Sequence, residues 1–261
     1  MSEKTLRTVR LFGIDMHAVT QTDAINVIFR WVTERDGGLR FVVTPNVQHA
    51  VIFQENAELR RAYSAASLVI VDGTPLVWSS RIFGRPLPER VAGSDIVPAL
   101  VERATAERPL SVYFLGGAPG VGERASAAVT REFPHVRVVG VDSPPLGFER
   151  DEKIDREVVE RVNRARPDLL LVGLGCPKQE LWTERHQKGL DAAVALCIGG
   201  TIDFLAGEQP RAPRWMRRTG IEWVHRMASD PRRLAPRYAA NALDFPKLLL
   251  RQWRASRGAR E

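Results

Sequence analysis

The sequence predicts an α/β protein: a mostly parallel sheet flanked by helices on both faces, with a basic helical appendage at its C-terminal end. Three observations carry this. Short β-branched and apolar runs alternate with longer segments of helical spacing along the first 200 residues, the pattern of a parallel sheet with crossover helices. The apolar runs are continuous rather than alternating, as strands covered on both faces must be. The positive charge is concentrated at one end: residues 211–261 hold 13 basic and 4 acidic side chains, net +9, leaving 25 against 27, net −2, before them.

The strand candidates are Phe41–Thr44, Leu68–Val71, Val112–Leu115, Val136–Val139, Leu169–Val172 and Val194–Ile198. Helical spacing predicts helices over Thr22–Thr33, Val47–Ala65, Pro75–Phe83, Ser94–Glu107, Val121–Glu132, Asp151–Ala165 and Lys178–Lys188. A composition boundary near Gly207–Arg214 divides a Rossmann-like domain (residues 1–207) from a basic C-terminal helical appendage (residues 208–261). In the appendage Ile221, Trp223, Val224, Met227 and Ala228 form an apolar face beside many arginines, and Pro236 is expected to interrupt or restart a helix.

Composition narrows the class. The chain is 44% hydrophobic and 26% charged, ordinary for a globular protein. No apolar run approaches the roughly 18 residues of a membrane span, no secretory signal is visible, and two cysteines in 261 residues fit a cytoplasmic protein rather than a disulfide scaffold.

In open parallel sheets, ligands sit beyond the carboxyl ends of the strands. Those ends carry Thr44-Pro45-Asn46, Asp72-Gly73-Thr74-Pro75, Gly116-Gly117-Ala118-Pro119-Gly120, Gly173-Leu174-Gly175-Cys176-Pro177 and Gly199-Gly200-Thr201-Ile202-Asp203. Asp72 has two readings. Asp-Gly is a common turn, with Thr74-Pro75 as an N-cap and its following proline; a desolvated carboxylate at a sheet rim is also a general base. Thr44-Pro45 allows the same N-cap reading. The Gly116–Gly122 loop suits a phosphate through its backbone N–H groups and the helix behind it, though it matches neither the dinucleotide fingerprint nor a P-loop. Cys176 lacks an evident histidine partner and reads as a small packed residue, Cys197 as a core strand residue. The five histidines show no metal-ligand spacing, and there is no Asp-x-Asp pair for a metal-bound diphosphate.

At the level of longer motifs the chain resembles the WecG/TagA/CpsF glycosyltransferases, from about Val42 to Tyr238. The resemblance rests on Thr44-Pro45-Asn46, on the run Ala66–Trp78 around Asp72-Gly73-Thr74-Pro75, and on Pro88–Asp95 with Arg90-Val91-Ala92-Gly93-Ser94. It continues in Phe114–Gly117, Gly173–Glu180 with Pro177-Lys178-Gln179-Glu180, and Arg211–Met216. It implies an inverting transfer of a hexosyl group, N-acetylmannosamine-type or related, from a UDP-sugar to a polyprenyl-pyrophosphate-linked sugar in cell-surface polysaccharide or teichoic acid synthesis. It places Asp72 as general base, with Thr44, Asn46 and Arg90 at the transfer site. Gln179, Asp203 and Phe148 fall on the donor side, with the glycines Gly116, Gly117, Gly173 and Gly175, and Arg226 and Arg233 from the tail are expected, with Arg90, to stabilise the diphosphate.

The expected partners are therefore a UDP-sugar donor, a lipid-linked acceptor and an anionic membrane surface at the inner face of the plasma membrane, with no nucleic acid, no metal cofactor and self-association left open. The tail is expected to fold over the active site. A non-catalytic nucleotide-binding module of a polysaccharide assembly complex is the alternative.

Overall fold

A computed structural model describes residues 6–35, 38–213, 215–216 and 220–258. Six strands form one parallel sheet in the order β4-β3-β8-β7-β5-β6: β3 (Arg40–Val43), β4 (Leu68–Val69), β5 (Leu110–Gly116), β6 (Val136–Asp142), β7 (Leu169–Gly173) and β8 (Val194–Cys197). Every predicted strand is present. The central ones are buried throughout: Leu169–Val172 and Val194–Ala195 show no exposed surface, which explains their unbroken apolar character.

An antiparallel hairpin of β1 (Thr8–Leu11) and β2 (Ile14–His17) precedes the sheet and was not expected. Its two-residue turn, Phe12-Gly13, has positive φ at both positions (53° and 80°), as a type I′ turn requires. His17 Nδ1 accepts a hydrogen bond from Val69 N (3.0 Å), which ties the hairpin to β4.

Helices cover both faces. On one lie α1 (Gln21–Glu34), α5 (Gly93–Val101), α6 (Val121–Glu132) and α9 (Thr201–Leu205), closing a core that includes Ile28, Phe114 and Leu171. Thr20 and Asp23 form a capping box at the start of α1. The other face carries α2 (Val47–Phe53), α3 (Ala57–Ala65), α4 (Thr74–Ile82), α7 (Glu152–Ala165) and α8 (Lys178–His186) around Phe41, Leu170 and Trp182.

Some predicted boundaries are corrected. The helix expected over Val47–Ala65 is two, because the Asn56 side chain accepts from Leu59 N (2.8 Å) and starts α3 anew. Asn46, not Thr44, caps α2, and Gly73, not Thr74, caps α4. The helix expected to reach Glu107 ends at Val101, and Thr105 and Arg108 then close a reciprocal backbone turn (3.1 and 3.2 Å).

Among the described residues the helices α10 (Glu222–Ser229) and α11 (Pro231–Gly258) follow. α11 runs through Pro236 and Pro246, so neither proline interrupts it as predicted for Pro236. Packing holds it: Leu248 is buried in the core, Phe245 meets Phe12 edge-on (centroids 5.6 Å), and Gln252 Oε1 accepts from Phe12 N (3.0 Å). Among the described residues no helix is long and apolar enough to cross a membrane.

Candidate active site

The carboxyl ends of all six strands open on one rim. The connection leaving β5 runs outward to β6, and the one leaving β7 runs the other way to β8, so a crevice forms above this pair. A cleft of about 870 Å³ occupies it. Its floor is backbone. Gly116 (φ +108°) lies so near β7 that a Cβ there would stand 2.5 Å from the Gly173 carbonyl oxygen. Gly117, Gly173, Gly175, Phe148, Gln179 and Asp203 line the same cleft, so the structure gathers the donor-side candidates in one place.

Two of these are committed elsewhere. Phe148 is 4% exposed and packs on Trp182 (centroids 6.3 Å). Gln179 is buried, its Oε1 accepting from Gly199 N (3.1 Å) and its Nε2 donating to Glu180 Oε1 (2.8 Å), so it braces the loop after β8. The side chain of Arg233 lies outside the described residues, as does that of Arg237.

Beside the cleft, over β4, is a second cavity of about 320 Å³, and Asn46, Asp72 and Arg226 border both. Asp72 is carried there by a buried run: Leu68, Val69, Ile70 and Val71 are each at most 3% exposed. Its backbone N–H donates to Pro45 O (2.9 Å), which joins the rim loops after β3 and β4. A Cβ at Gly73 would lie 3.0 Å from Asn46 Cα, so only glycine allows this approach without a shift. Val91 N donates to Val71 O (2.7 Å) and fixes Arg90 next to Asp72. Thr44 is buried below, its hydroxyl donating to Cys197 O (2.9 Å), while Asn46 Oδ1 caps α2 through Gln48 N (3.0 Å).

Charge at this junction is dense and nearly balanced. Arg90 Nη1 donates to Asp72 Oδ1 (3.1 Å), and its Nη2 donates to Asp95 Oδ2 (2.9 Å) and lies 3.5 Å from Glu222 Oε2. Arg211 pairs with Asp95. The guanidinium of Arg90 is thus engaged by three carboxylates. Arg226, one turn beyond Glu222 on α10, stacks over Phe204 (5.1 Å), and its Nε makes no hydrogen bond among the described residues. Burial pushes the Asp72 carboxyl up to about 6; Arg90 and Arg226 oppose the rise, and Glu222 and Asp95 add to it. A carboxylate of that proton affinity, facing two cavities, is suited to general-base work near neutral pH.

Sequence reasoning missed Glu222, although its i,i+4 spacing to Arg226 places both on one helix face. It also missed a partner for Cys176, which is corrected here. His49, Cys176 and Glu180 bring their ligand atoms within 4.8 Å of one another in the wall of the cleft. Burial alone would lower the proton affinity of His49; Cys176 and Glu180 outweigh it and raise it. No local pattern announces this group, because His49 and Glu180 are 131 residues apart and meet through the sheet order. Cys197 is a buried strand residue as expected.

Comparison with known proteins identifies the family. The family model described as "Glycosyl transferase WecG/TagA/CpsF family" matches residues 9–259. The chain is similar to a Bacillus spizizenii protein named N-acetylglucosaminyldiphosphoundecaprenol N-acetyl-beta-D-mannosaminyltransferase, 31% identical over 193 residues, covering 74% of this chain and 72% of the relative. A Staphylococcus aureus protein of the same name is 29% identical over 229 residues, 87% of this chain and 86% of the relative. With a match over nearly its whole length, the chain belongs to the WecG/TagA/CpsF family of glycosyltransferases.

Proposed function

We propose that the protein transfers a hexosyl group, with inversion, from a UDP-sugar to a sugar carried on a polyprenyl diphosphate, and that Asp72 is the general base. The observation that carries this reading is the position of Asp72 at the junction of two cavities, beside Arg90 and Arg226. The names of the relatives, mannosaminyltransferases acting on N-acetylglucosaminyldiphosphoundecaprenol, favour an N-acetylmannosamine-type donor and a lipid-linked acceptor.

The donor lies in the larger cleft, its diphosphate over the Gly116–Gly117 turn and near Arg226. The acceptor sugar enters through the smaller cavity, its hydroxyl pointing at Asp72. As that oxygen attacks the anomeric carbon, Asp72 takes the proton, the bond to the diphosphate breaks on the opposite side, and UDP departs with the electron pair. Arg226 meets the charge developing on the leaving group. Arg90, expected at the diphosphate, is instead held among three carboxylates and in this scheme orients Asp72 and supports its ionised form. The reaction needs no metal in this scheme.

The tail serves membrane association in the same scheme. Trp215, Leu243, Leu250 and Trp253 are exposed in a segment of net +9, a combination that suits an anionic leaflet, where each basic residue near the surface contributes about 1 kcal/mol.

Purified protein, a panel of UDP-sugars and a lipid-linked N-acetylglucosamine diphosphate test the reading through UDP release. Transfer by the wild type and none by Asp72→Asn supports it; full transfer by Asp72→Asn overturns the base assignment. Binding of UDP-sugars without transfer to any acceptor returns the chain to a non-catalytic module.

A further inference from the structure

The group His49, Cys176 and Glu180 is not used in the transfer proposed above. Three separate segments supply it: α2, the loop after β7 and α8. His49 and Glu180 are 5% and 0% exposed, and Cys176 is half-buried at the cleft wall. His49 Nε2 stands 3.1 Å from Glu180 Oε1.

The hydrogen bonds around the group decide what lies between those two atoms. His49 Nδ1 is 2.9 Å from Asn46 Oδ1, an acceptor that also receives Gln48 N–H. The backbone N–H of Asn46 also points at Nδ1, from a longer 3.4 Å. The shorter contact makes Nδ1 a donor, so Nε2 meets the carboxylate oxygen with either a second ring proton or a cation between them, since two bare acceptors at 3.1 Å repel. Glu180 Oε1 is oriented by Gln179 Nε2 (2.8 Å), while Glu180 Oε2 is fully buried and has no hydrogen-bond partner. A histidine with its tautomer fixed by a neighbour and a carboxylate fixed by an amide are the outer-shell arrangement of metal sites.

We infer that His49, Cys176 and Glu180 bind one zinc-class divalent ion through Nε2, Sγ and a carboxylate oxygen, in the wall of the donor cleft. Imidazole, thiolate and carboxylate together suit zinc and disfavour magnesium or calcium, which take oxygen ligands. A dication balances the thiolate and the carboxylate, so the filled site carries no net charge. Three protein ligands leave a fourth position open, and His49 and Cys176 both border the cleft, so water or an oxygen of the cleft's occupant completes the shell. The ion would pin α2 and α8 beneath the rim that carries Asn46 and Gln179. His49 reaches the Asp72 junction through Asn46, and the test below reads metal binding rather than turnover, so the proposal stands or falls apart from the base assignment.

Tag-free protein, stripped with a chelator and confirmed folded by circular dichroism, is titrated with Zn²⁺ and separately with Co²⁺. The expected result is one ion per chain and, with Co²⁺, a thiolate-to-metal charge-transfer band in the near ultraviolet. Cys176→Ser removes that band, and Glu180→Gln weakens Zn²⁺ at least tenfold. Asn46→Ala, which frees the His49 ring, weakens it about 10–100-fold. Should a buried substitution prevent folding, alkylation of Cys176 in the stripped wild type, blocked by prior Zn²⁺, supplies the same readout. Folded wild type that takes up no stoichiometric Zn²⁺, or that binds it unchanged after Cys176→Ser, overturns the inference in favour of a proton shared by His49 and Glu180.

Discussion

The two cavities that meet at Asp72 are built from different materials. The cleft above β5 and β7 is floored by glycine backbone, where the close approach of Gly116 to Gly173 leaves no room for a side chain. The cavity over β4 is lined mainly by apolar and aromatic side chains, Trp223, Tyr238 and Phe245 among them, and its charge is confined to Asp72, Arg90, Glu222 and Arg226, with Arg90 engaged by Asp72, Asp95 and Glu222. Backbone N–H groups and a helix terminus receive a diphosphate whatever sugar follows it. A network of paired charges instead sets the proton affinity of one carboxylate. Charge substitutions should therefore act on turnover, and glycine substitutions on donor binding and stability.

The largest effect is expected at Asp72. Asp72→Asn keeps the shape and removes the base, so kcat falls by about 10²–10⁴ while the KM for the donor changes little, as initial rates over a donor series will show. A comparable loss of donor affinity would mean that the charge network also binds the nucleotide, and the division between the cavities would fail. Next comes Arg226→Ala, for which a drop of about 10²–10³ in kcat is expected from the loss of one cation at the leaving group, with partial recovery in Arg226→Lys. Unchanged single-turnover rates in Arg226→Ala would remove α10 from the chemistry.

The charge network and the fold differ in how far the sequence discloses them. Five of the parallel strands were legible as continuous apolar runs, the pattern of a strand covered on both faces. By contrast β6, at the sheet edge with Arg137 and Val139 exposed, was legible from its valines. The β1–β2 hairpin was not, although Val9, Leu11, Ile14 and Met16 alternate around Phe12-Gly13. Its runs are four residues long, and a bulky residue at positive φ is not a usual turn signal. Asp72 and Arg90 were legible as motif residues, and β4 and the bond from Val91 to Val71 bring them together. The Arg90–Glu222 contact and the His49–Cys176–Glu180 group were not, because pairings across more than a hundred residues exist only once the sheet order is known.

A smaller effect follows from proton affinity. Asp72 acts as a base when ionised, and burial first, with Glu222 and Asp95 adding to it against Arg90 and Arg226, holds its carboxyl at about 6. The rate of transfer should therefore fall about tenfold per pH unit below 6 and level off above it. Glu222→Gln takes away a negative neighbour and should move this limb to lower pH. The same shift has a stability counterpart of definite sign. Between pH 4 and 6 the native state holds a proton that the unfolded chain has released, so stability falls as pH rises through that window, and Asp72→Asn abolishes the fall. A pH–rate limb that stays in place in Glu222→Gln would separate α10 from the electrostatics of the base.

The smallest effect belongs to the backbone-built cleft and tests it most directly. Gly117 has φ +81°, yet a Cβ there would meet nothing nearer than 3.6 Å, an ordinary contact with Val121. Gly117→Ala therefore introduces left-handed strain without a clash, about 1–2 kcal/mol of stability, read as a lower midpoint in urea. The turn keeps its path and its N–H groups, so donor KM should rise a few-fold at most and kcat should stay at the wild-type value. A large fall in kcat from this one methyl group would mean that the glycine turn approaches the reacting atoms, and that the two cavities share the work of the transition state.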